Sequence, residues 1–502
     1  MNSFDLKLAD HLDLIASAAD GIQKLRGLIL ELAVRGKLVP QDPTDEPTSE
    51  LLKRAASQAT EMKTKRQLPV GKDEQPFDVP ANWAWVRFGS IAQHNSGKTL
   101  DKGRNSGQPR DYITTSNLYW GRFELGGIRQ MLIRDHELEK CTARKNDLLI
   151  CEGGEAGRAA VWENDKDICF QNHVHRARLF AGISPYFAFR MFEKLNASGE
   201  INQYRKGVGI SNMSSKSLAS ISFPLPPTAE QHRIIAKVDE LMALCDRLEA
   251  EQADAADAHA RLVQTLLDTL TQSANADELA ANWQRLSQHF DTLFATEASL
   301  DALKQTVLQL AVMGKLVQQG SGVASPRWTI ERLDELCPEI VDCPHSTPKW
   351  TPTGKLCVRT SQFRPGGLDL SASRFVSEST FAERIARLKP RENDILYSRE
   401  GGILGVACQI PLGIELCLGQ RMMLIRPGGN VFAAFLEFVL NSPMITQLAR
   451  EKTTGGAAPR VNVATVKAYP IPLPPLAEQH RIVAKVDELM ALCDRLKAEL
   501  AA

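Results

Sequence analysis

The sequence predicts an α+β protein in which two globular α/β domains are joined by long helices that form an antiparallel coiled coil with internal pseudo-twofold symmetry. Three observations support this fold class. Two segments recur almost unchanged, their apolar residues follow helical spacing, and the variable segments between them share a strand, glycine-turn, strand pattern. A chain of 502 residues is also longer than one hydrophobic core usually serves, which favours two or more domains.

The overall composition is that of an ordinary globular protein. Sixty Lys and Arg balance 60 Asp and Glu, and 43% of the residues are hydrophobic, which excludes a disordered or fibrous chain. No stretch approaches the roughly 18 consecutive apolar residues of a membrane span, and the first residues lack signal-peptide character, so we expect a cytoplasmic protein. The 10 cysteines show no CxxC spacing, which favours reduced thiols.

The internal repeat determines the predicted architecture. Pro224 to Ala250 matches Pro472 to Ala498 at 24 of 27 positions, and Leu25 to Val39 matches Leu303 to Val317 at 9 of 15. The order is cyclic, because the block that ends the chain is followed in mid-chain by the block that begins it. We therefore expect the termini to lie close together and the two halves to be related by an approximate twofold axis.

The repeat divides the chain into conserved helical segments and variable domains. A buried-strand pattern followed by a glycine turn occurs at Asp147 to Gly157 and again at Asp394 to Gly405, so both variable segments are expected to share one fold. The predicted segments are an N-terminal helix (1–40), a helical extension with helix Thr48 to Arg66 and linker (41–76), a first variable domain (77–225), a central helical region (226–318), a second variable domain (319–473) and a C-terminal helix (474–502).

The repeated blocks carry a heptad seam. Ile234, Val238, Leu241, Cys245 and Leu248 are spaced 4-3-4-3, and the second copy repeats this spacing, which predicts helices that pair along one stripe. The partner blocks continue the pattern with apolar residues at 4-3 spacing. The first copy also places Thr228 three residues before Gln231, as in a capping box, whereas the second copy has Leu476 there.

Polar residues off this seam also recur. Seam packing does not require their identity, so two copies of one exposed surface predict two copies of one partner, docked symmetrically. Recent duplication and an internal coiled-coil core remain alternatives. The predicted docking residues are Glu230, Gln231, Arg233, Glu478, Gln479 and Arg481.

The variable segments are basic although the whole chain is neutral. Residues 77–225 carry 20 basic and 15 acidic residues, and residues 326–473 carry 18 and 14, so a polyanion is expected on these domains. Their loops combine cations, amides, hydroxyls and aromatic rings, the groups that contact phosphates and base edges. The candidate DNA-contact residues are Asn95, Lys98, Thr99, Lys102, Arg104, Arg110, Ser116, Asn117, Tyr119, Arg205, Lys206, Asn212, His345, Thr347, Lys349, Ser361, Gln362, Arg364, Lys452, Thr453, Thr454, Arg460 and Asn462.

No catalytic or metal site is predicted. Asn95 to Thr99 reads NSGKT, but the first glycine that a P-loop needs would fall at Ala92. His173 and His175 alternate beside Cys169 without further ligands nearby, which is typical of a plain strand. The chain also has no HExxH, no GxSxG and no Asn/Asp-Pro-Pro-aromatic loop of an amino-methyltransferase.

These features resemble the DNA specificity subunit of type I restriction-modification systems. The resemblance rests on PLPPxAEQHRI-(I/V)-AKVDELMALCDRL in two copies, LAVxGKLV in two copies and two divergent domains between them. Asp342 to Pro348 is similar to the DGxHxTP stretch of such domains, although Cys343 and Pro344 depart from it. The order of the blocks is that of the circularly shifted variant of the family.

The resemblance implies that each variable domain is a target recognition domain that reads one half of a split, asymmetric duplex DNA sequence. The helices would space the domains and dock two methyltransferase subunits, and endonuclease and translocase subunits would join the complex. This chain would be non-catalytic and hold no cofactor, while S-adenosylmethionine, ATP and magnesium would bind the partners. The alternative is a two-armed scaffold that binds protein or RNA, whose affinity for duplex DNA would depend little on salt.

Overall fold

The computed structural model describes residues 18, 20–101, 103–180, 182–207, 211–317, 328–454 and 459–500. The chain forms two compact units, unit 1 (Met1–Asp254) and unit 2 (Ala255–Ala502). The boundary lies inside the predicted central helical region. Each unit mixes helices with small sheets, which confirms the predicted α+β class. Over the described residues, no helix is long and apolar enough to cross a membrane.

Unit 1 begins with two helices, continues with the first variable domain and ends in a long helix. Its helices are α1 (Gly21–Val34), α2 (Thr48–Glu61), α3 (Phe88–Ile91), α4 (Asp135–Cys141), α5 (Pro185–Ala197), α6 (Ser215–Ala219) and α7 (Thr228–Gln272), the last of which continues into unit 2. Its strands are β1 (Ala84–Arg87), β2 (Ala92–Ser96), β3 (Gln108–Ile113), β4 (Leu118–Tyr119), β5 (Arg122–Phe123), β6 (Arg129–Ile133), β7 (Thr142–Ala143), β8 (Leu148–Cys151), β9 (Gly153–Gly154), β10 (Ala159–Val161), β11 (Ile168–Phe170), β12 (Val174–Leu179), β13 (Ser211–Asn212) and β14 (Ser222–Leu225).

Two four-stranded sheets form the variable domain of unit 1, in the orders β10-β8-β12-β2 and β6-β3-β11-β7. Strand β8 is buried along its whole length, as expected for a short apolar run at the centre of a sheet. The first and last strands, β1 and β14, pair with each other, with Ala84 opposite Leu225. This pairing closes the domain next to the start of α7.

Unit 2 repeats this plan with different residues. Its helices are α8 (Ala276–Ser287), α9 (Phe290–Leu293), α10 (Glu297–Val312), α11 (Leu333–Leu336), α12 (Glu378–Ile385), α13 (Ala433–Asn441), α14 (Pro443–Glu451), α15 (Val463–Lys467) and α16 (Leu476–Leu500). Its strands are β15 (Thr329–Arg332), β16 (Glu339–Asp342), β17 (Trp350–Thr351), β18 (Lys355–Val358), β19 (Phe363–Arg364), β20 (Gly367–Leu368), β21 (Phe375–Val376), β22 (Ile395–Ser398), β23 (Ala407–Gln409), β24 (Leu416–Leu418), β25 (Met422–Arg426) and β26 (Pro470–Leu473).

The sheets of unit 2 have the same topology. The order β16-β25-β22-β23 corresponds to β2-β12-β8-β10, and the parallel pair β18 and β24 corresponds to β3 and β11. Strands β15 and β26 close the domain as β1 and β14 do. The shared fold predicted for the two variable segments is therefore confirmed in each unit.

Each variable domain rests on an antiparallel helix pair. In unit 1 the seam residues Leu25 and Ile29 of α1 share a buried core with Ile234 and Val238 of α7. Arg26 forms ion pairs with Asp246 at 2.6 Å and Glu249 at 2.9 Å near the far end of the seam. The sequence numbers run in opposite directions, so the helices are antiparallel.

The pairing of α10 with α16 in unit 2 repeats this geometry. Leu303 and Val307 are buried with Ile482 and Val486. Lys304, which stands at the position of Arg26, forms an ion pair with Asp494. The apolar stripe predicted from heptad spacing thus forms the seam in both units.

Two other expectations have definite outcomes. The helix predicted over Thr48 to Arg66 exists but ends at Glu61. All 10 cysteines are buried free thiols. The twofold relation of the two halves and the proximity of the termini stay predictions, as do the domain limits.

The helix ends at Gly36 and Gly314 allow a stability test. Gly36 has φ 66°, and Lys37 N donates to Leu32 O at 2.9 Å, which forms a Schellman-type cap. A Cβ at Gly36 would lie 2.6 Å from Pro80 Cγ, whereas one at Gly314 would meet the Trp328 ring at 3.2 Å or more.

Gly36→Ala is therefore expected to destabilise unit 1 by about 2 to 4 kcal/mol, from left-handed backbone strain plus the clash. Gly314→Ala should cost unit 2 about 1 to 2 kcal/mol. Gly27→Ala is the control, since a Cβ there meets nothing within 4 Å and alanine favours a helix. Hydrogen exchange under increasing urea measures each unit separately. Equal losses at positions 36 and 314 would contradict the prediction.

Candidate nucleic-acid interface

Two predicted loops that are distant in sequence meet in unit 1. Strand β9 pairs with β13, and Lys206 forms a further bridge with Asn212. Gly154 has φ 76°, so the turn uses left-handed backbone that favours glycine. Lys206 and Asn212 are exposed. They form one edge of the domain, which we call the glycine-turn edge.

Unit 2 builds its glycine-turn edge from different residues. Glu400 and Thr454 each form a bridge with Arg460, and Gly401 has φ 89°. The predicted contact residues at this edge are Lys452, Thr453, Thr454, Arg460 and Asn462. All except the half-buried Thr453 are exposed. Asn462 Oδ1 also accepts from Ala464 N at 3.0 Å and caps α15.

One predicted DNA contact in unit 2 is wrong. Gln362 is only 3% exposed, because its amide fixes the 3-10 turn Thr360–Gln362 from inside. The side chain accepts from Arg359 N at 2.9 Å and donates to Asp369 O at 3.3 Å. The neighbouring Ser361 is exposed and stays a candidate.

Asn117 has the same role in unit 1. Its side chain accepts from Thr114 N and donates to Glu124 O, both at 3.0 Å. Ser116 beside it is exposed. These turns place a serine at the same point of each domain, although the residue that fixes the turn differs.

The hairpins after these turns carry Tyr119 and Arg364. The Arg122 and Arg158 guanidinium groups lie 5.2 and 5.5 Å from the centre of the Tyr119 ring, a cation–π arrangement. Arg364 donates to Asp369 Oδ2 at 2.9 Å and its side chain is 56% exposed. Arg122 is an exposed cation that the loop pattern missed, because it lies within a two-residue strand.

The remaining candidates of unit 1 fall into two groups. Arg104, Arg110 and Thr99 are exposed, and the Arg104 side chain is 89% accessible. Lys98 is instead paired with Glu137, and Asn95 lies within β2 opposite Arg176, so both are engaged inside the domain. Lys102 lies outside the described residues.

Arg205 braces the domain from within. Its guanidinium donates to Ala156 O at 2.7 Å, Asn202 Oδ1 at 2.9 Å and Asn196 Oδ1 at 3.1 Å. Burial lowers the pKa of Arg205, but three acceptors satisfy its donors. The group therefore supports the glycine-turn edge rather than extending from it.

The loop after β16 exposes His345, Thr347 and Lys349. His345 Nε2 lies 3.2 Å from Asp342 Oδ2, and Arg399 Nη2 lies 2.7 Å from the same oxygen. Gln420 Nε2 donates to His345 O at 2.5 Å. The loop is thus held at its base while its polar side chains face outward.

The start of each repeated helix overturns part of the docking prediction. Glu230 and Gln231 are 0% exposed, Gln479 is 0% and Glu478 is 7%. The premise of an exposed repeated surface is wrong for these four residues. They face the variable domain, which covers the side of the helix that the heptad seam leaves open.

Gln231 joins α7 to the variable domain of unit 1. Its Oε1 accepts from Ser184 N at 2.7 Å, and its Nε2 donates to Pro226 O at 2.9 Å. Gln479 repeats both bonds in unit 2, with Phe432 N at 2.7 Å and Pro474 O at 2.9 Å. We call these two amides the glutamine clamp.

The neighbouring glutamates bind tryptophans that the sequence reasoning missed. Trp83 Nε1 donates to Glu230 Oε2 at 2.9 Å, and Trp328 Nε1 donates to Glu478 Oε1 at 3.2 Å. Burial raises the pKa of Glu230, and the hydrogen bonds from Trp83 and Gln41 oppose that rise. A tryptophan beside each closing strand was the available signal.

Comparison with known proteins identifies the family. The model of the type I restriction modification DNA specificity domain matches residues 80–256 and 352–502. The chain belongs to this family. It is therefore a specificity subunit, the DNA-recognition component of a type I restriction-modification system and not its catalytic subunit.

Two specificity subunits from Escherichia coli are similar over nearly their full length. The type I restriction enzyme EcoEI specificity subunit is 30% identical, over 98% of this chain and 96% of that protein. The EcoAI specificity subunit is 32% identical, over 95% and 90%. A chain solved in work on the complex assembly and conformational transition of the type I R-M system shares the fold, with TM-score 0.51, 18% identity and coverage of 85% and 94%.

The two docking arginines of this specificity subunit are not equivalent. Arg233 forms a two-bond ion pair with Asp45, at 3.0 and 2.6 Å, and this hydrogen bonding raises its pKa. The Asp45 side chain is only 5% exposed. Arg481 is exposed, and the structure gives it no acidic partner among the described residues. The helices are nearly identical, yet their environments differ.

Arg233→Ala should therefore destabilise unit 1 by about 1 to 3 kcal/mol, because it leaves a buried carboxylate without its partner. Arg481→Ala should change unit 2 by less than about 0.5 kcal/mol. The free energy of unfolding of each unit, from hydrogen exchange in urea, checks both values. A comparable loss at both positions would contradict the assignment.

Proposed function

We propose that each recognition domain reads one half of a bipartite, asymmetric duplex DNA target, while the repeated helices space the domains and dock two methyltransferase subunits. The carrying observation is the glycine-turn edge. Both units build it from the same backbone pairing, but one exposes Lys206 and Asn212 and the other exposes Thr454 and Arg460. One scaffold with two sets of contacting side chains suits two different half-sites.

The helix lengths support the spacing role. The matched part of the repeated helix, about 23 residues at roughly 1.5 Å per residue, spans about 35 Å, close to one turn of B-DNA. The assembly would act in the cytoplasm. S-adenosylmethionine would bind the methyltransferase subunits, and ATP and magnesium would bind endonuclease and translocase subunits. The exposed cations supply salt-dependent affinity and the polar side chains supply discrimination.

Methylome sequencing tests the proposal in the host. Deleting the gene should remove one asymmetric, two-part adenine-methylation motif. Exchanging residues 77–225 for those of another specificity subunit should then change only one half of the motif. A perfectly palindromic motif, or a motif whose two halves both change, would contradict the proposal.

Salt dependence tests the contacts. Arg104→Ala and Arg460→Ala should each lower the slope of log affinity against log salt by about 1, the value for loss of one phosphate contact. Lys145→Ala is the control, because Lys145 is an exposed cation outside the predicted surface, paired with Asp165 at 2.7 Å. Binding of duplex oligonucleotides that hardly changes between low and moderate salt would instead favour a protein-binding scaffold.

A further inference from the structure

Unit 1 covers the start of its long helix with a segment that we call the strap, residues 41–61. The strap binds at three points: Gln41 to Glu230, Asp45 to Arg233, and Thr48 Oγ1 to Leu225 O at 3.3 Å. Its helix α2 then buries Leu51 and Ala55, each 1% exposed. The strap therefore combines an acidic extended stretch with an amphipathic helix.

Unit 2 has no such segment of its own. Only 10 residues, 318–327, separate Val317 from Trp328, and they include no Asp or Glu. The surface that corresponds to the strap site contains Leu476, 44% exposed, and Ile330, 75% exposed. Arg481 is exposed beside them on α16. Two apolar side chains and a cation thus stand where unit 1 has a cover.

The sequence differences between the repeats point to the same surface. Only three of 27 positions differ. Ile235 to Val483 is conservative. Glu249 to Lys497 is compensated, because Lys497 Nζ pairs with Asp301 at 3.1 Å while Glu249 pairs with Arg26.

The third difference has no internal compensation. Thr228 donates to Gly182 O at 2.7 Å in unit 1, but its counterpart Leu476 is apolar and nearly half exposed. Replacing a hydrogen-bonding threonine by leucine in an otherwise unchanged helix start suits an apolar cover. Charge complementarity at Arg481 requires that this cover also be acidic.

We infer that unit 2 receives its strap from another polypeptide of the restriction-modification complex: an acidic segment leading into an amphipathic helix, seated on Ile330, Leu476 and Arg481. This inference rests on the part of the proposed function that docks partner subunits on the helices. It makes the two docking sites unequal, since unit 1 occupies the corresponding position itself.

Cross-linking of the assembled complex locates the occupant. A photo-reactive benzoyl-phenylalanine placed at position 476 should link to a partner subunit, and mass spectrometry should map the link to a segment rich in Asp or Glu. The same residue at position 228 should link within the chain, to residues 48–61. A link from position 476 only within this chain, to a second copy of it, or to a basic segment would overturn the inference.

Charge reversal tests the energetic role. Arg481→Glu should weaken assembly with the purified partner subunits at least tenfold, whereas Arg495→Glu, an exposed arginine on the same helix, should change it less than twofold. Reversing the mapped acidic residue of the partner should restore the affinity of the Arg481→Glu chain. Equal effects of both substitutions would overturn the inference. DNA binding by the isolated chain should be unaffected, so failure here differs from failure of DNA recognition.

Discussion

A buried side-chain amide at the start of each long helix joins the recognition domain to the frame. Gln231 and Gln479 are 0% exposed, and each must both accept and donate a hydrogen bond there, because an unsatisfied buried amide is costly. A glutamate could not donate, and an apolar residue could do neither. The identity of this position is therefore independent of what the domain recognises.

The bonding partners of the clamp explain how the domains differ while the helices stay the same. Gln231 binds the main chain at Ser184 and Pro226, and Gln479 binds the main chain at Phe432 and Pro474. Main-chain groups are present whatever the side chain, so the sequence of a recognition domain can change without loss of these bonds. The same holds for the glycine-turn edges, which are built from backbone pairing. Variation is confined to exposed side chains, where DNA specificity arises.

The sequence predicted the frame well and the surfaces poorly, for one physical reason. Heptad spacing reports which helix stripe is apolar, and the seam at Ile234 and Val238 is where that spacing placed it. Spacing does not report what covers the polar stripe. Glu230 and Gln231 were therefore expected on the surface, although the variable domain buries them. Gln362 failed similarly, since a turn-fixing amide and a DNA-reading amide have the same letter in the sequence.

The account depends most on the claim that the glutamine clamp holds each recognition domain to its own helix. Hydrogen exchange of Gln231→Ala and Gln479→Ala, compared with the unchanged chain, tests it directly. Gln231→Ala should lose protection at the amides around Ser184 and at the start of α7, with unit 2 unchanged, and Gln479→Ala should do the same around Phe432 alone. Unchanged protection at Ser184 and Phe432 in the two variants, or loss spread through both units of either one, would contradict the account.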